Sequence, residues 1–149
     1  MNSLAILLMV IAGAGIAAQI AINAHLRLIT GALWAANITF AASMAAGLVA
    51  IAATASFSTL TPPGPALWRA PVWVWLGGLC GAFYVLLAIL LAGRLGAALL
   101  SAAGIFGQLG AAILIDHYGW FGMPLQRVTP TRLIGAALLG AGVVLIRWR

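Results

Sequence analysis

Two groups of polar side chains interrupt an otherwise apolar sequence, and their types and spacing would allow solute binding or proton transfer. Gln19 and Asn23 are four residues apart, so on a helix they share one face. Gln108 lies in another apolar run, and Asp116, the only acidic residue among the 149, is followed directly by His117. Carboxamides can hydrogen-bond a solute, and a carboxylate beside an imidazole can relay protons near neutral pH.

Each of these residues also has a purely structural interpretation. Amides buried among membrane helices can bond across helices and hold them together, with each bond contributing roughly 0.6–2 kcal/mol. Asp116 can pair with Arg127 or Arg132, or it can cap the turn before Gly119. The residues alone leave both interpretations open.

The sequence does not predict an enzyme. A single carboxylate side chain excludes catalysis by a carboxylate pair. No Cys/His cluster has the spacing of metal ligands, and Cys80 is the only cysteine, so a disulfide framework is excluded. We therefore expect neither a catalytic site nor a metal or other cofactor.

The elements that position these side chains are predicted to be membrane-spanning helices. The chain is 65% hydrophobic and 5% charged, whereas about a quarter of the residues in soluble domains are charged. Long apolar runs without two-residue alternation favour helices over a barrel. We predict an all-α bundle of five transmembrane helices in a single domain, residues 1–149. The predicted helices are 3–24, 33–54, 72–92, 97–115 and 130–148, with a proline-rich loop at 56–71 and a tight turn at 93–96.

The seven arginines are distributed almost evenly between the two ends of the predicted helices. Five spans would put three arginines on the side of the N-terminus (Arg69, Arg127, Arg132) and four on the other side (Arg27, Arg94, Arg147, Arg149). Orientation follows the side with more Lys and Arg, so this chain can insert both ways, or a small residual bias can fix one orientation. The scattered charges do not form the basic face that nucleic acid requires, and we expect membrane lipids as partners instead.

Several motifs distributed over nearly the whole sequence carry a family resemblance. They are Gln19-x-x-x-Asn23-x-x-Leu26-Arg27, Pro71-Val72-Trp73-Val74-Trp75-Leu76-Gly77-Gly78, Gly81-Ala82-Phe83-Tyr84-Val85, Arg94-Leu95-Gly96-Ala97-Ala98, Gly107-Gln108, Asp116-His117-Tyr118-Gly119-Trp120-Phe121-Gly122 and Arg132-Leu133-Ile134-Gly135. With these motifs the chain resembles the half-size, YdcZ-like family of the drug/metabolite transporter superfamily.

The resemblance implies a multi-pass protein of the bacterial inner membrane, with five helices that form one half of a ten-helix inverted-repeat transporter. It implies that two oppositely inserted copies pair as an antiparallel homodimer. Inverted repeats place the substrate site near the membrane midplane, between the repeats. The small multidrug exporters of the same superfamily use a buried glutamate, but this chain has no Glu, so that mechanism does not carry over.

These arguments predict a secondary transporter, an exporter of a small neutral or zwitterionic solute that works by alternating access. The predicted substrate contacts are Gln19, Asn23, Trp75, Tyr84 and Gln108. Asp116 and His117 are predicted to form a gate or a proton relay. Asp116 lies eight residues from Gln108, about 12 Å along a helix, and therefore at the membrane edge. The alternative function is a non-transporting membrane scaffold or lipid-binding subunit, in which neighbouring helices satisfy every buried amide.

Overall fold

The described part of the chain is built from α-helices. The structure is a computed structural model that describes residues 2–55, 71 and 73–148, apart from the side chains of residues 2, 54, 55 and 75. Its α-helices are α1 (Asn2–Thr30), α2 (Ala32–Ala55), α3 (Trp73–Tyr118) and α4 (Pro130–Arg147), with a short 3₁₀ turn at Trp120–Gly122. The predicted loop 56–71 lies outside the described residues except for Pro71.

Helix α1 continues past its predicted end at residue 24 and stops only at Thr30. His25 and Arg27 do not interrupt it, since polar side chains at a helix end leave the backbone bonds intact. Gly31 ends the helix: its φ of 81° is in the left-handed region, and its N–H donates to the Arg27 carbonyl at 2.8 Å. α2 begins at the next residue, so a single glycine separates the two helices.

Of the residues predicted as helices 72–92 and 97–115, all but residue 72, which lies outside the described residues, belong to one element, α3, of 46 residues. The predicted turn at 93–96 is reduced to a kink at Gly96, whose φ of 74° and ψ of 161° are not helical. Only glycine adopts this backbone conformation without strain, because it has no Cβ. The break therefore falls where the sequence predicts it, but helical geometry resumes on both sides without a connecting loop.

The eleven residues 119–129 join α3 to α4. The Gln126 N–H donates to the Asp116 carbonyl at 2.8 Å, which closes the turn. Thr129 caps α4 by accepting a hydrogen bond from the Arg132 N–H at 3.4 Å, and Pro130 occupies the first turn of that helix. Both features are typical helix starts, since the first N–H groups of a helix have no partner inside it.

The chain divides into two compact units, residues 19–90 and residues 1–18 with 91–149. In the first unit, Ala35, Ala36 and Ile89 form a small buried core, against which Leu26 and Phe40 pack. In the second unit the Phe106 ring packs against Gly140, where an added Cβ would lie 3.0 Å from Cε2. Small residues let these helices approach one another closely.

Most large apolar side chains are exposed along all four helices. Every one of the four also contains a stretch long and apolar enough to cross a membrane: Ser3–Thr30, Ala32–Ala53, Leu76–Tyr118 and Pro130–Arg147. Apolar surface that is exposed in the protein but embedded in lipid carries no hydrophobic penalty, since lipid tails are as apolar as leucine. All the secondary structure of the described residues is helical.

Candidate functional site

Asn23, a predicted substrate contact, is fixed by a neighbour that sequence reasoning missed. Its side chain is buried, with 6% of the residue exposed, and Oδ1 accepts a hydrogen bond from Thr39 Oγ1 at 2.8 Å. The same hydroxyl lies 2.9 Å from the Ala35 carbonyl oxygen, so its one proton has two acceptors. This bond ties α1 to α2, and it leaves the amide end of Asn23 without a hydrogen bond to any described residue.

Three other predicted substrate contacts are less enclosed than Asn23. Gln19 and Tyr84 are partly buried, and Gln108 is exposed on α3. None of the three side chains makes a hydrogen bond to another described residue. Gln19, Asn23 and Tyr84 belong to the unit 19–90, and Gln108 belongs to the other unit. The side chain of Trp75, the fifth predicted contact, lies outside the described residues, and the substrate role of all five stays a prediction.

Asn37 provides a useful contrast, because its amide is satisfied within its own helix. Its Nδ2 donates to the Leu33 carbonyl at 2.8 Å. An exposed Asn near a helix start can bond the preceding turn in this way. Asn37 therefore has a structural partner within its own helix, whereas Gln108 has none among the described residues.

Arg27 binds backbone carbonyls rather than only facing headgroups. Its Nη1 donates to the carbonyls of Ile89 at 3.1 Å and Leu90 at 2.8 Å, 62 and 63 residues away in sequence. These carbonyls lie near the end of the α3 segment that precedes the Gly96 kink, where the helix dipole is negative and attracts a cation. The end of α1 and the end of this segment are thereby held side by side.

Asp116 pairs with Arg132, one of the two partners that the sequence suggests. Arg132 Nη1 lies 3.4 Å from Asp116 Oδ2, and Arg132 Nη2 donates to Gln126 Oε1. The ion pair is half-buried, with 25% of the Asp116 side chain and 35% of the Arg132 side chain exposed. It connects the last turn of α3 to the first turn of α4, which supports the structural interpretation of Asp116.

His117 also connects α3 to the turn that follows it. Its Nδ1 accepts a hydrogen bond from the Val128 N–H at 3.2 Å, so in the neutral ring the proton is on Nε2. The ring packs edge-on against Tyr118, with centroids 4.8 Å apart. A relay that protonates Nδ1 would have to break the bond to Val128. The gate or proton-relay role of Asp116 and His117 stays a prediction.

A groove of about 320 Å³ lies beside the ion pair, between the second half of α3 and α4. Ala112 and Ile113 line it from α3, Gly135 and Ala136 line it from α4, and Asp116 and Arg132 lie on its wall. Sequence reasoning missed this groove, because it depends on the packing of two helices. The small side chains at positions 135 and 136 leave room for it.

The chemistry available at these sites is recognition by hydrogen bonds and charge. Among the described residues, no three His, Cys, Asp or Glu side chains come together in a way that could hold a metal ion. One other polar atom stands out: the Ser101 hydroxyl is buried without a hydrogen-bond partner in the described part of the chain. The carboxamides, the hydroxyls and the Asp116–Arg132 ion pair of the described residues can bind a solute by hydrogen bonds and charge.

Long apolar helices with a few polar side chains define the chain as a polytopic helical membrane protein. A family model described as "Putative inner membrane exporter, YdcZ" matches residues 4–145. Because the match covers nearly all 149 residues, the chain belongs to the YdcZ family and is a multi-pass protein of the inner membrane. The description of the family names an exporter and no enzymatic activity. None of the curated proteins and none of the solved structures matches the chain.

Proposed function

We propose that the chain is a secondary exporter of small neutral or zwitterionic solutes, working by alternating access as an antiparallel dual-topology homodimer. The observation that carries the proposal is the family match over residues 4–145, because the family is described as one of inner-membrane exporters. The contacts of the polar residues support the finer parts of the proposal, as the following paragraphs argue.

The proposal includes five membrane crossings, with α3 contributing two of them. At a rise of ~1.5 Å per residue, the 46 residues of α3 would extend over about 69 Å, more than twice the ~30 Å hydrocarbon core. The Gly96 kink divides the helix into segments of about 33–35 Å each, which match one crossing. Arg94, beside the kink, then lies near a headgroup region, where its charge is solvated.

Five crossings put the two termini on opposite sides and divide the arginines three against four. Asp116 does not alter this count, because orientation follows Lys and Arg and acidic residues contribute little. A difference of one arginine gives little preference for either orientation. Two oppositely inserted copies would together form a pair of inverted repeats, the arrangement in which transporters bind substrate at the midplane.

The neutral or zwitterionic character of the substrate follows from which polar groups remain available. Gln19, Tyr84 and Gln108 are uncharged and make no hydrogen bond to any described residue. Asp116, the only acidic residue of the chain, is engaged by Arg132. An exposed carboxamide is unfavourable in lipid unless it finds a partner. We expect the partner of Gln108 to be the substrate in a cavity that two copies enclose.

Transport by the purified protein in vesicles tests this proposal. Vesicles are loaded with a panel of labelled neutral, zwitterionic, cationic and anionic metabolites, and efflux is measured. We expect efflux of a neutral or zwitterionic compound, and at least a tenfold loss of its rate in Gln108→Leu. Asn37→Leu is the matched control, because Asn37 bonds its own helix, and it should retain transport. Efflux confined to cations, or equal rates in the two variants, would contradict the proposal.

A further inference from the structure

The groove between α3 and α4 combines an apolar floor with charges of both signs at one end. Its floor is made of Ala112, Ile113, Gly135 and Ala136, and Asp116 and Arg132 stand together on its wall. All six residues belong to the same compact unit. The volume of about 320 Å³ is at the lower end of the range for small-molecule pockets, roughly 300–1,000 Å³.

Both charged side chains retain hydrogen-bonding capacity beyond their own ion pair. Asp116 uses Oδ2 toward Arg132, and its Oδ1 accepts no hydrogen bond from a described side chain. Arg132 uses Nη1 toward Asp116 and Nη2 toward Gln126, whereas a guanidinium has five N–H donors. The groove can therefore offer an acceptor to a cation and donors to an anion a few ångströms apart.

The depth of these charges matches that of lipid headgroups. Asp116 lies in the last turn of α3 and Arg132 in the first turn of α4. In a membrane-spanning pair of helices these turns are at the interface, and the apolar floor extends from there toward the midplane. An ammonium and a phosphate on one headgroup complement the carboxylate and the guanidinium, since guanidinium groups bind phosphate well.

We propose that this groove binds a zwitterionic phospholipid, with its ammonium on Asp116, its phosphate on Arg132 and one acyl chain along Ala112, Gly135 and Ala136. The charge complementarity selects this occupant. A purely anionic lipid would leave Asp116 facing a phosphate, and a purely cationic amphiphile would face Arg132. This site is separate from Gln108 and does not depend on the chain being a transporter.

Gly135→Leu tests the groove without changing a charge. No atom lies within 4 Å of an added Cβ at Gly135, so leucine should fill the groove without a clash. Gly142→Leu is the matched control, since Gly142 is a residue of the same helix with equally open surroundings and does not line the groove. Both variants replace a helical glycine with a better helix former, so neither should prevent folding.

Binding is measured by native mass spectrometry on the full chain in detergent. The probes are dioleoyl-phosphatidylethanolamine, dioleoyl-phosphatidylglycerol, which lacks the ammonium, and phosphoethanolamine, which lacks the chains. We expect the first to bind at least tenfold more tightly than the other two, and Gly135→Leu to weaken it at least tenfold while Gly142→Leu does not. Asp116→Asn should reduce the preference for the ethanolamine lipid over the glycerol lipid.

Three results would overturn the proposal. The first is equal affinity for the two lipids in the unmodified protein, which would remove the role of the ion pair. The second is equal binding by Gly135→Leu and Gly142→Leu, which would place the lipid elsewhere. The third is binding of phosphoethanolamine as tight as that of the lipid, which would indicate a soluble zwitterion as the occupant. If Asp116→Asn fails to fold, the two glycine variants still decide the question.

Discussion

Single polar residues of this chain differ in whether their hydrogen bonds are complete. Asn37 bonds its own helix, and Asp116, His117 and Arg27 bond groups on other segments. Gln108 has no partner among the described residues. Since lipid offers no hydrogen bonds, a polar side chain without a partner is unfavourable there. This difference separates the residues that connect segments of the chain from those whose predicted role is to contact substrate.

Thr39→Val is predicted to destabilise the protein more than its small change in size suggests. Valine keeps the shape but removes the hydroxyl that donates to Asn23 Oδ1 at 2.8 Å, which leaves a buried carboxamide without that bond. The free energy of unfolding should fall by about 1–2 kcal/mol, measured by denaturation in mixed micelles. Thr39→Ser keeps the hydroxyl and should lose much less. Equal losses in the two variants would show that the Asn23 bond does not contribute.

His117→Asn is predicted to preserve both stability and transport. An asparagine Oδ1 can accept the hydrogen bond from the Val128 N–H that His117 Nδ1 accepts at 3.2 Å, but it cannot relay protons near neutral pH. His117→Leu cannot accept that bond and should be less stable by about 1 kcal/mol. Thermal unfolding and vesicle efflux measure the two effects. Loss of efflux in His117→Asn, with its stability retained, would instead support a proton relay.

Helix α3 depends on one glycine for its geometry. Gly96→Ala places a Cβ on a residue with φ of 74° and ψ of 161°, a conformation in which strain costs about 1–3 kcal/mol. Gly93→Ala, three residues earlier on helical backbone, should be neutral or stabilising, because alanine is the better helix former and nothing lies within 4 Å of its Cβ. The difference between the two melting temperatures measures the strain. Equal melting temperatures would mean that the kink does not require glycine.

Arg27 of α1 also contributes to the position of helix α3. Its guanidinium binds the Ile89 and Leu90 carbonyls, just before the stretch in which the backbone leaves helical geometry. A charged donor at carbonyls near a helix end is favourable through the helix dipole. Arg27 of α1 is therefore bonded to the backbone of α3 within the unit 19–90.

For the whole molecule, the sequence predicts the class of protein and most helix positions. Apolar runs indicate membrane helices because lipid imposes that composition. The length of α1 was underestimated, since the polar residues before Gly31 stay helical and glycine geometry ends the helix. The α3 kink was predicted as a tight turn at 93–96, because the types of these four residues do not reveal whether the helical hydrogen bonds continue through them.

The candidate site was less predictable than the helices. The sequence does not indicate that Thr39 bonds Asn23, because threonine is common in apolar helices. Only the packing of α1 against α2 places the two side chains together. Asp116 had two possible partners in the sequence, Arg127 and Arg132, and the distance to Arg132 identifies its partner in the structure. The groove beside them depends on how two helices pack, which no single segment encodes.

The proposed antiparallel homodimer predicts that opposite orientation-biased variants fail alone and work together. Leu33→Arg changes the arginine balance from three against four to three against five. A triple variant changes the arginine balance to five against three; it combines Met123→Arg, Leu125→Arg and Arg94→Gln. Leu33, Met123 and Leu125 are exposed, so these changes should not disturb packing. The side of a membrane protein with more arginine faces the cytoplasm. A reporter fused to the C-terminus should therefore indicate one compartment for the first variant and the opposite compartment for the second.

Transport then distinguishes a dimer of opposite copies from any other assembly. Each biased variant alone supplies copies of a single orientation, so we expect efflux to fall at least tenfold. Coexpression restores both orientations, and efflux should recover to near the unmodified level. If one biased variant alone exports at the original rate, opposite insertion is not needed. If coexpression fails to restore efflux although both variants insert in their separate orientations, an antiparallel pair is not the working unit.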